Sequence, residues 1–209
     1  MKILVFGGSG LTGHEVLEQG LRRGYQLTAF VRDPSKLKIR NARLDHRIGN
    51  VANLIEVLNA VPGHDAVVSA LGASTPFKRD PALVEGIRNI VSAMEQLDIK
   101  RFVYESFLGV KENRDELGFF INNVLSRLLK NVIADHEEKE RIIKNSKLDW
   151  TIVRPPKLTN GPFTGNYRTG EHITSRSLIL KISRADVAAF MLDLLASKQY
   201  IRQSPRILS

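Results

Sequence analysis

Short apolar runs alternate along this chain with longer stretches whose apolar residues recur every three or four positions, the two rhythms of buried strands and amphipathic helices. Lys2 to Phe6, Gln26 to Val31, Leu44 to Ile48, Asp65 to Ala70, Arg101 to Tyr104 and Trp150 to Arg154 read as strands. Between them, Leu11 to Arg23, Asn53 to Ala60, the stretch opened by Asp80-Pro81, and Asp135 to Asn145 read as helices. Asp186 to Ala196 forms a closing helix, and Arg206 to Leu208 adds an edge strand. Within Asp65 to Ala70 the run Ala66-Val67-Val68 is apolar, as a strand covered on both faces should be. No repeat, linker or low-complexity tract interrupts the alternation. It therefore predicts an α/β fold, one doubly wound and mostly parallel sheet in a single domain over 1–209.

Two stretches depart from the simple pattern. Leu117 to Ile133 carries apolar residues on more than one helical stripe, which leaves three readings open: a crossover helix, a lid over substrate, or a subunit contact. Asp135 to Asn145 has its acids early and Arg141 and Lys144 late, an order that complements the helix dipole and predicts a mostly solvated face. Leu83, Val84, Ile87, Ile90, Val91, Met94 and Leu97 form one stripe, assigned to the core.

The first strand turns into the first helix through Gly7-Gly8-Ser9-Gly10-Leu11-Thr12-Gly13. Gly8, Gly10 and Gly13 satisfy G-x-G-x-x-G, while Gly7, Gly10 and Gly13 satisfy the wider G-x-x-G-x-x-G. In either register one glycine permits the tight turn, Gly10 lets backbone approach a pyrophosphate, and Gly13 packs the helix close to the sheet. This predicts a Rossmann-type dinucleotide site at the helix N-terminus. Its other edges are the carboxyl ends of the neighbouring strands: Asn50 after the third, Ala70, Leu71, Gly72, Ala73 and Ser74 at the fourth, Ser106 after the fifth, and Pro155 after the sixth. Asn50 has a helix-capping role as its rival, and Ser106 a turn hydroxyl.

The residue closing the second strand distinguishes the two nicotinamide dinucleotides, because an acid there grips the NAD ribose and an arginine accommodates the NADP 2′-phosphate. Arg32 takes that place. Asp33 is a rival, but Asp followed by Pro is what a helix start requires. NADP(H) is the expected cofactor.

Composition changes the picture in three ways. The 209 residues contain no cysteine, which excludes disulfides, thiolate metal sites and thiol nucleophiles and suits a reducing cytoplasm. The five histidines show no i, i+4 pair, so no metal site is expected. The net charge of +9 raises nucleic acid or a membrane surface as partners. Its basic residues instead crowd Arg22 to Arg47, around the predicted 2′-phosphate position, without interleaved aromatics. No nucleic acid and no membrane are expected as partners, no signal peptide or spanning segment is read, and the chain is expected to be a cytoplasmic monomer or homodimer.

Several pieces together carry a resemblance: the glycine stretch, Val31-Arg32-Asp33, Ser69-Ala70-Leu71-Gly72, Glu85 to Val91, Asp135-His136, Val153-Arg154-Pro155-Pro156, and Phe163-Thr164-Gly165-Asn166-Tyr167. The chain resembles the atypical short-chain dehydrogenases of the flavin reductase (biliverdin reductase B) type over nearly its whole length. The resemblance implies NADPH bound across the sheet edge and hydride passed to flavins, quinones or linear tetrapyrroles. It also implies that Ser106 is the serine beside the nicotinamide and Arg32 the 2′-phosphate arginine. Two departures bear on the substrate: the segment after Ser106 is longer and more apolar, and Asn50 stands where an aspartate is usual. Related proteins on the same sheet bind NADP as regulators, or bind RNA.

Carbonyl-reducing members use a tyrosine and a lysine four residues later to protonate an alkoxide. None of Tyr25, Tyr104, Tyr167 and Tyr200 has such a lysine, and His136 and Glu140 hold the spacing instead. His136 is therefore a candidate general acid, with capping or packing as its alternative. Reduction of a flavin or quinone takes its proton from water, so positioning supplies most of the catalysis. Ser106 is expected to fix the nicotinamide, and Phe107, Phe163 and Tyr167 to offer stacking surface. The substrate region is expected at about 107–133 and 155–176. A redox sensor that binds NADP(H) without turnover is the alternative.

Overall fold

A computed structural model describes residues 1–72, 79–110, 130–174 and 180–209. Ala73, Ser74 and the 117–129 part of the apolar segment lie outside the described residues. Six parallel strands, β1 (Lys2–Phe6), β2 (Gln26–Val31), β3 (Leu44–Ile48), β4 (Ala66–Ser69), β5 (Arg101–Glu105) and β6 (Asp149–Val153), form one sheet in the order β3-β2-β1-β4-β5-β6. The order reverses between β1 and β4, and ligands of open α/β sheets bind beyond the carboxyl ends at such a point. The expected doubly wound fold is what the chain adopts.

Period-two alternation explains the two layers. Ile3 and Val5 point into one core, which the helices α1 (Leu11–Arg22) and α5 (Arg184–Ala196) cover. Leu4 and Phe6 point into the other, with α2 (Leu54–Ala60), α3 (Pro81–Gln96) and α4 (Lys130–Lys144). The side chains of Asn53 and Asp80 cap α2 and α3, satisfying N–H groups that have no partner within the helix.

Several boundaries and one face differ from expectation. The closing helix begins at Arg184, because Ser183 caps it by accepting from the Asp186 N–H at 2.9 Å. Three short strands, β7 (Lys157–Thr159), β8 (Arg168–Gly170) and β9 (Lys181–Ser183), were not predicted. β7 pairs with β9, and β8 with β10 (Arg206–Leu208). The final segment also runs parallel beside β6, with the N–H groups of Ile152 and Arg154 bonding Gln203 and Pro205. The solvated face expected for α4 is overturned: Asp135, Lys139 and Glu140 are buried. Their partners come from elsewhere in the chain. Asp135 accepts from Arg79 Nε at 2.8 Å and from the Asp80 N–H at 2.6 Å, tying α4 to the start of α3.

Candidate functional site

Gly7 turns the chain at the end of β1 with φ +85, and a Cβ there would lie 2.5 Å from the Ala70 carbonyl oxygen. Its own carbonyl accepts the Gly10 N–H at 2.9 Å, and a Cβ on Gly13 would sit 2.1 Å from the same oxygen. Gly7, Gly10 and Gly13 thus form one tight unit, the wider of the two registers. Gly8 faces inward, where a Cβ would meet Leu17 and Ala29. A Cβ on Gly10 would meet only the Gly7 oxygen, at 3.2 Å. The open side of Gly10 is the start of α1, which has no side-chain cap. Uncapped N–H groups and an open backbone form a cradle that a diphosphate fits.

A cleft of about 330 Å³ opens there at the switch point. It brings together Gly7, Ser9, Gly10, Arg32, Asn50, Ala70, Leu71 and Gly72 from the predicted set, and adds Lys36. Two cations on the rim beyond β2 suit a phosphate on the adenosine side. Asp33 is engaged elsewhere: its Oδ1 accepts from the Ser35 N–H at 3.0 Å and from the Ser35 hydroxyl at 2.6 Å. These bonds hold its carboxyl below the usual range. Asn50 Oδ1 accepts from the Ala52 N–H at 3.1 Å in a local turn, while Asn53 caps α2. Gly8, Leu11, Thr12, Gly13, Ser106 and Pro155 are not on the walls of this cleft. Leu11 is exposed, Thr12 is buried, and the Pro155 carbonyl accepts the Leu108 N–H at 2.9 Å.

A second group of side chains gathers past β5. The Ser106 hydroxyl donates to Glu140 Oε1 at 2.6 Å and lies 3.4 Å from His136 Nδ1. Arg154, at the end of β6, grips the same carboxylate with Nε, 3.1 Å from Oε1, and with Nη2 against Oε2. Lys144 Nζ stands 3.5 Å from Oε2. Glu140 and Arg154 are each 2% exposed, so the pair is desolvated and held in a two-pronged geometry. Arg154 was seen in the sequence only as part of a motif. The four-residue step from His136 was the signal for Glu140.

His136 stands beside Ser106. Burial, assisted by the Lys139 charge, drives its pKa down to about 3 against the pull of Asp135. A neutral imidazole at working pH is a hydrogen-bond partner and does not serve as a store of protons. It lies in the second turn of α4, so helix capping does not account for it. Phe107 packs on this ring, with centroids 6.0 Å apart. Tyr167 is half-buried and packs on Phe190, with centroids 6.1 Å apart, at the edge of the α1–α5 core. Phe163 remains 58% exposed on the neighbouring loop.

That loop is anchored on α5. Asp186 accepts from the Thr164 N–H, the Gly165 N–H, the Thr164 hydroxyl and the Ser183 hydroxyl, at 2.7 to 3.0 Å. Glu105, the last residue of β5, was noted in the sequence only as a neighbour of Ser106. It is buried and accepts from the Thr12 hydroxyl at 3.2 Å.

A family model described as NAD(P)H-binding matches residues 7–198. An uncharacterized chloroplastic protein of Arabidopsis thaliana is 33% identical over 178 residues, 79% of this chain and 62% of its own length. The UPF0659 protein of Saccharomyces cerevisiae is 29% identical over 202 residues, 92% of this chain and 86% of its own. Among solved structures, an oxidoreductase from Lactococcus lactis superposes with a TM-score of 0.83 at 19% identity, covering 99% of this chain and 90% of that one. An anaerobilin reductase from Escherichia coli superposes with 0.79 at 20% identity, covering 99% and 96%. At these identities the superpositions speak to the fold. Among the described residues no helix is long and apolar enough to cross a membrane.

Proposed function

Since the chain belongs to the NAD(P)H-binding family, we propose that it is an NADPH-dependent reductase that delivers hydride to a planar acceptor of flavin or quinone type. One observation carries the choice of acceptor. Where a tyrosine and lysine would protonate an alkoxide, the site holds a neutral His136 and a Glu140 carboxylate committed to Ser106 and Arg154. A carbonyl acceptor would find no tyrosine–lysine pair there and only the weakly acidic N–H of a neutral imidazole, whereas a reduced flavin or quinone takes its proton from water.

The residues divide the work by position. The glycine turn and the start of α1 would hold the diphosphate, and Arg32 with Lys36 the 2′-phosphate, favouring NADPH over NADH. When bound, NADPH supplies the hydride. Ser106 would hold the reacting end, with its orientation fixed by Glu140. Phe107 and the exposed Phe163 would offer apolar surface to the acceptor; of the substrate region expected at 107–133 and 155–176, residues 111–129 and 175–176 lie outside the described residues. The anaerobilin reductase of Escherichia coli shows that a reductase is built on the same fold.

The test is direct. Purified protein is mixed with NADPH and, in turn, FMN, quinones and carbonyl compounds, and the loss of the NADPH absorbance band is followed. Turnover with the planar acceptors and none with simple carbonyls is the expected result. Tight NADPH binding without turnover across the whole panel would overturn the enzyme reading and favour an NADP(H)-binding sensor.

A further inference from the structure

Ser106 has one proton to give, and the structure shows where it goes. Glu140 is gripped by the Arg154 guanidinium at both oxygens and approached by Lys144, so it is a carboxylate that can only accept. Ser106 Oγ at 2.6 Å must therefore be its donor. The backbone on either side leaves little freedom to change this, because the Ser106 N–H bonds the Val153 carbonyl at 2.8 Å and the Arg154 N–H bonds Pro205 at 2.9 Å. With its hydrogen committed, Ser106 presents only lone pairs to its other neighbours. For the 3.4 Å approach of His136 Nδ1 to be a hydrogen bond, Nδ1 must then be the ring nitrogen that carries hydrogen.

We propose that Ser106 acts in this site as a hydrogen-bond acceptor, polarised by the buried Glu140–Arg154 pair, and that the ligand group it holds is an N–H donor. The inference rests on the NADPH-reductase reading above and sharpens it. A ketone, an aldehyde or a quinone oxygen offers only lone pairs and gains nothing from Ser106. A carboxamide N–H or a ring N–H gains a hydrogen bond in a site shielded from water. Two sources carry that chemistry: the carboxamide of the nicotinamide, and the N–H of a planar heterocyclic acceptor such as the N3 position of a flavin. Glu140 and Arg154 act through Ser106, and so are positioning residues.

Two measurements test this on the full chain. In ¹⁵N-histidine-labelled protein without ligand, the His136 signal, assigned by its loss in His136→Asn, should report the Nδ1–H tautomer. An Nε2–H tautomer would overturn the proposed polarity. Affinities are then compared for NADP⁺ against its 3-acetylpyridine analogue, which has a methyl in place of the amide nitrogen, and for lumiflavin against 3-methyllumiflavin in the NADP⁺ complex. Loss of the N–H should weaken one of the two pairs by about 5–10-fold in the wild type and by nothing in Ser106→Ala. A weaker acetylpyridine analogue places the contact on the cofactor, and a weaker methylflavin places it on the acceptor. Equal affinities within both pairs would overturn the proposal while leaving cofactor binding intact. A chain that bound neither cofactor nor flavin would instead retire the reductase reading, with the tautomer still deciding the polarity of Ser106.

Discussion

The Thr12 hydroxyl, on the first turn of α1, donates to the Glu105 carboxyl at the end of β5 across 3.2 Å. The bond joins the cradle to the strand that leads into Ser106, and it does so with a buried acid. Burial raises the Glu105 pKa from 4.5 to about 7, and the opposing influences of Thr12 and Arg184 do not reverse it. A carboxyl whose pKa is raised by folding holds its proton more tightly in the native state. Its contribution to stability is full below pH 4.5 and is lost as pH rises through about 7. Between pH 4.5 and 8 the wild type should therefore lose about 3 kcal/mol relative to Glu105→Gln, the value of roughly 2.5 pKa units. Urea unfolding of both proteins at the two pH values measures the difference. A constant gap would show that Glu105 ionises normally.

Gly10 and Gly13 should respond in opposite ways to an added side chain. Gly10 has φ −82 and a Cβ there would meet a single tight neighbour, the Gly7 oxygen at 3.2 Å, so Gly10→Val should fold at a modest cost in stability. The branch fills the diphosphate cradle, and NADPH affinity should fall by at least about 100-fold, close to 3 kcal/mol. Gly13→Ala puts a methyl 2.1 Å from the Gly7 oxygen, which belongs to backbone and cannot swing aside. Its cost should appear in thermal stability first. Calorimetric binding and melting of the two variants separate the effects, and a Gly10→Val protein that bound NADPH normally would remove the cradle from the site.

Arg32 lies exposed on the cleft rim with Lys36 beside it. If it pairs with the 2′-phosphate, Arg32→Ala should weaken NADPH by roughly 10–100-fold, the range of a charge-assisted bond of about 1.5–3 kcal/mol. NADH, which lacks that phosphate, should bind the two proteins alike. Equal losses for both cofactors would place Arg32 elsewhere on the nucleotide.

Asp186 tests the loop that carries Phe163. Burial pushes its carboxyl up, but the bonds from Ser183, Thr164 and Gly165 together outweigh burial and hold it below the usual aspartate range. Its stabilisation is present above pH 3.8 and is lost as pH falls through the depressed value. Asp186→Ala removes a carboxylate that takes four donors, so protease cleavage within 160–167 should speed up and stability should fall by about 2–4 kcal/mol. Unchanged cleavage would mean that the loop holds itself.

Much of this arrangement was legible in the sequence because its causes are local. Glycine at 7, 10 and 13, the apolar strands, and the Asp80-Pro81 helix start each act within a few residues. β7, β8 and β9 were not legible, since strands of three residues are defined by partners that lie tens of positions away. The face of α4 was misread for the same reason. Its charge order favours solvent when taken alone, yet Arg79, Asp80 and Arg154 approach from α3 and β6 and make burial possible. The capping role of Asp33 was legible because its partner, the Ser35 N–H, is two residues away.

The Glu140–Arg154 pair separates stability from positioning. Taking two charges out of water costs several kcal/mol per ion, and the pair repays this only while both partners remain. Arg154→Met alone leaves the buried Glu140 carboxylate with only Ser106 and the more distant Lys144 among the described residues and should destabilise by about 3–5 kcal/mol. Adding Glu140→Leu replaces both charges with apolar groups of similar volume, so the double variant should recover most of the loss in chemical denaturation. It should not recover turnover, because the Ser106 hydroxyl then has no carboxylate to receive its proton and is free to rotate. Full recovery of both stability and kcat would show that the pair serves packing alone; recovery of stability with kcat still depressed assigns it to the orientation of Ser106.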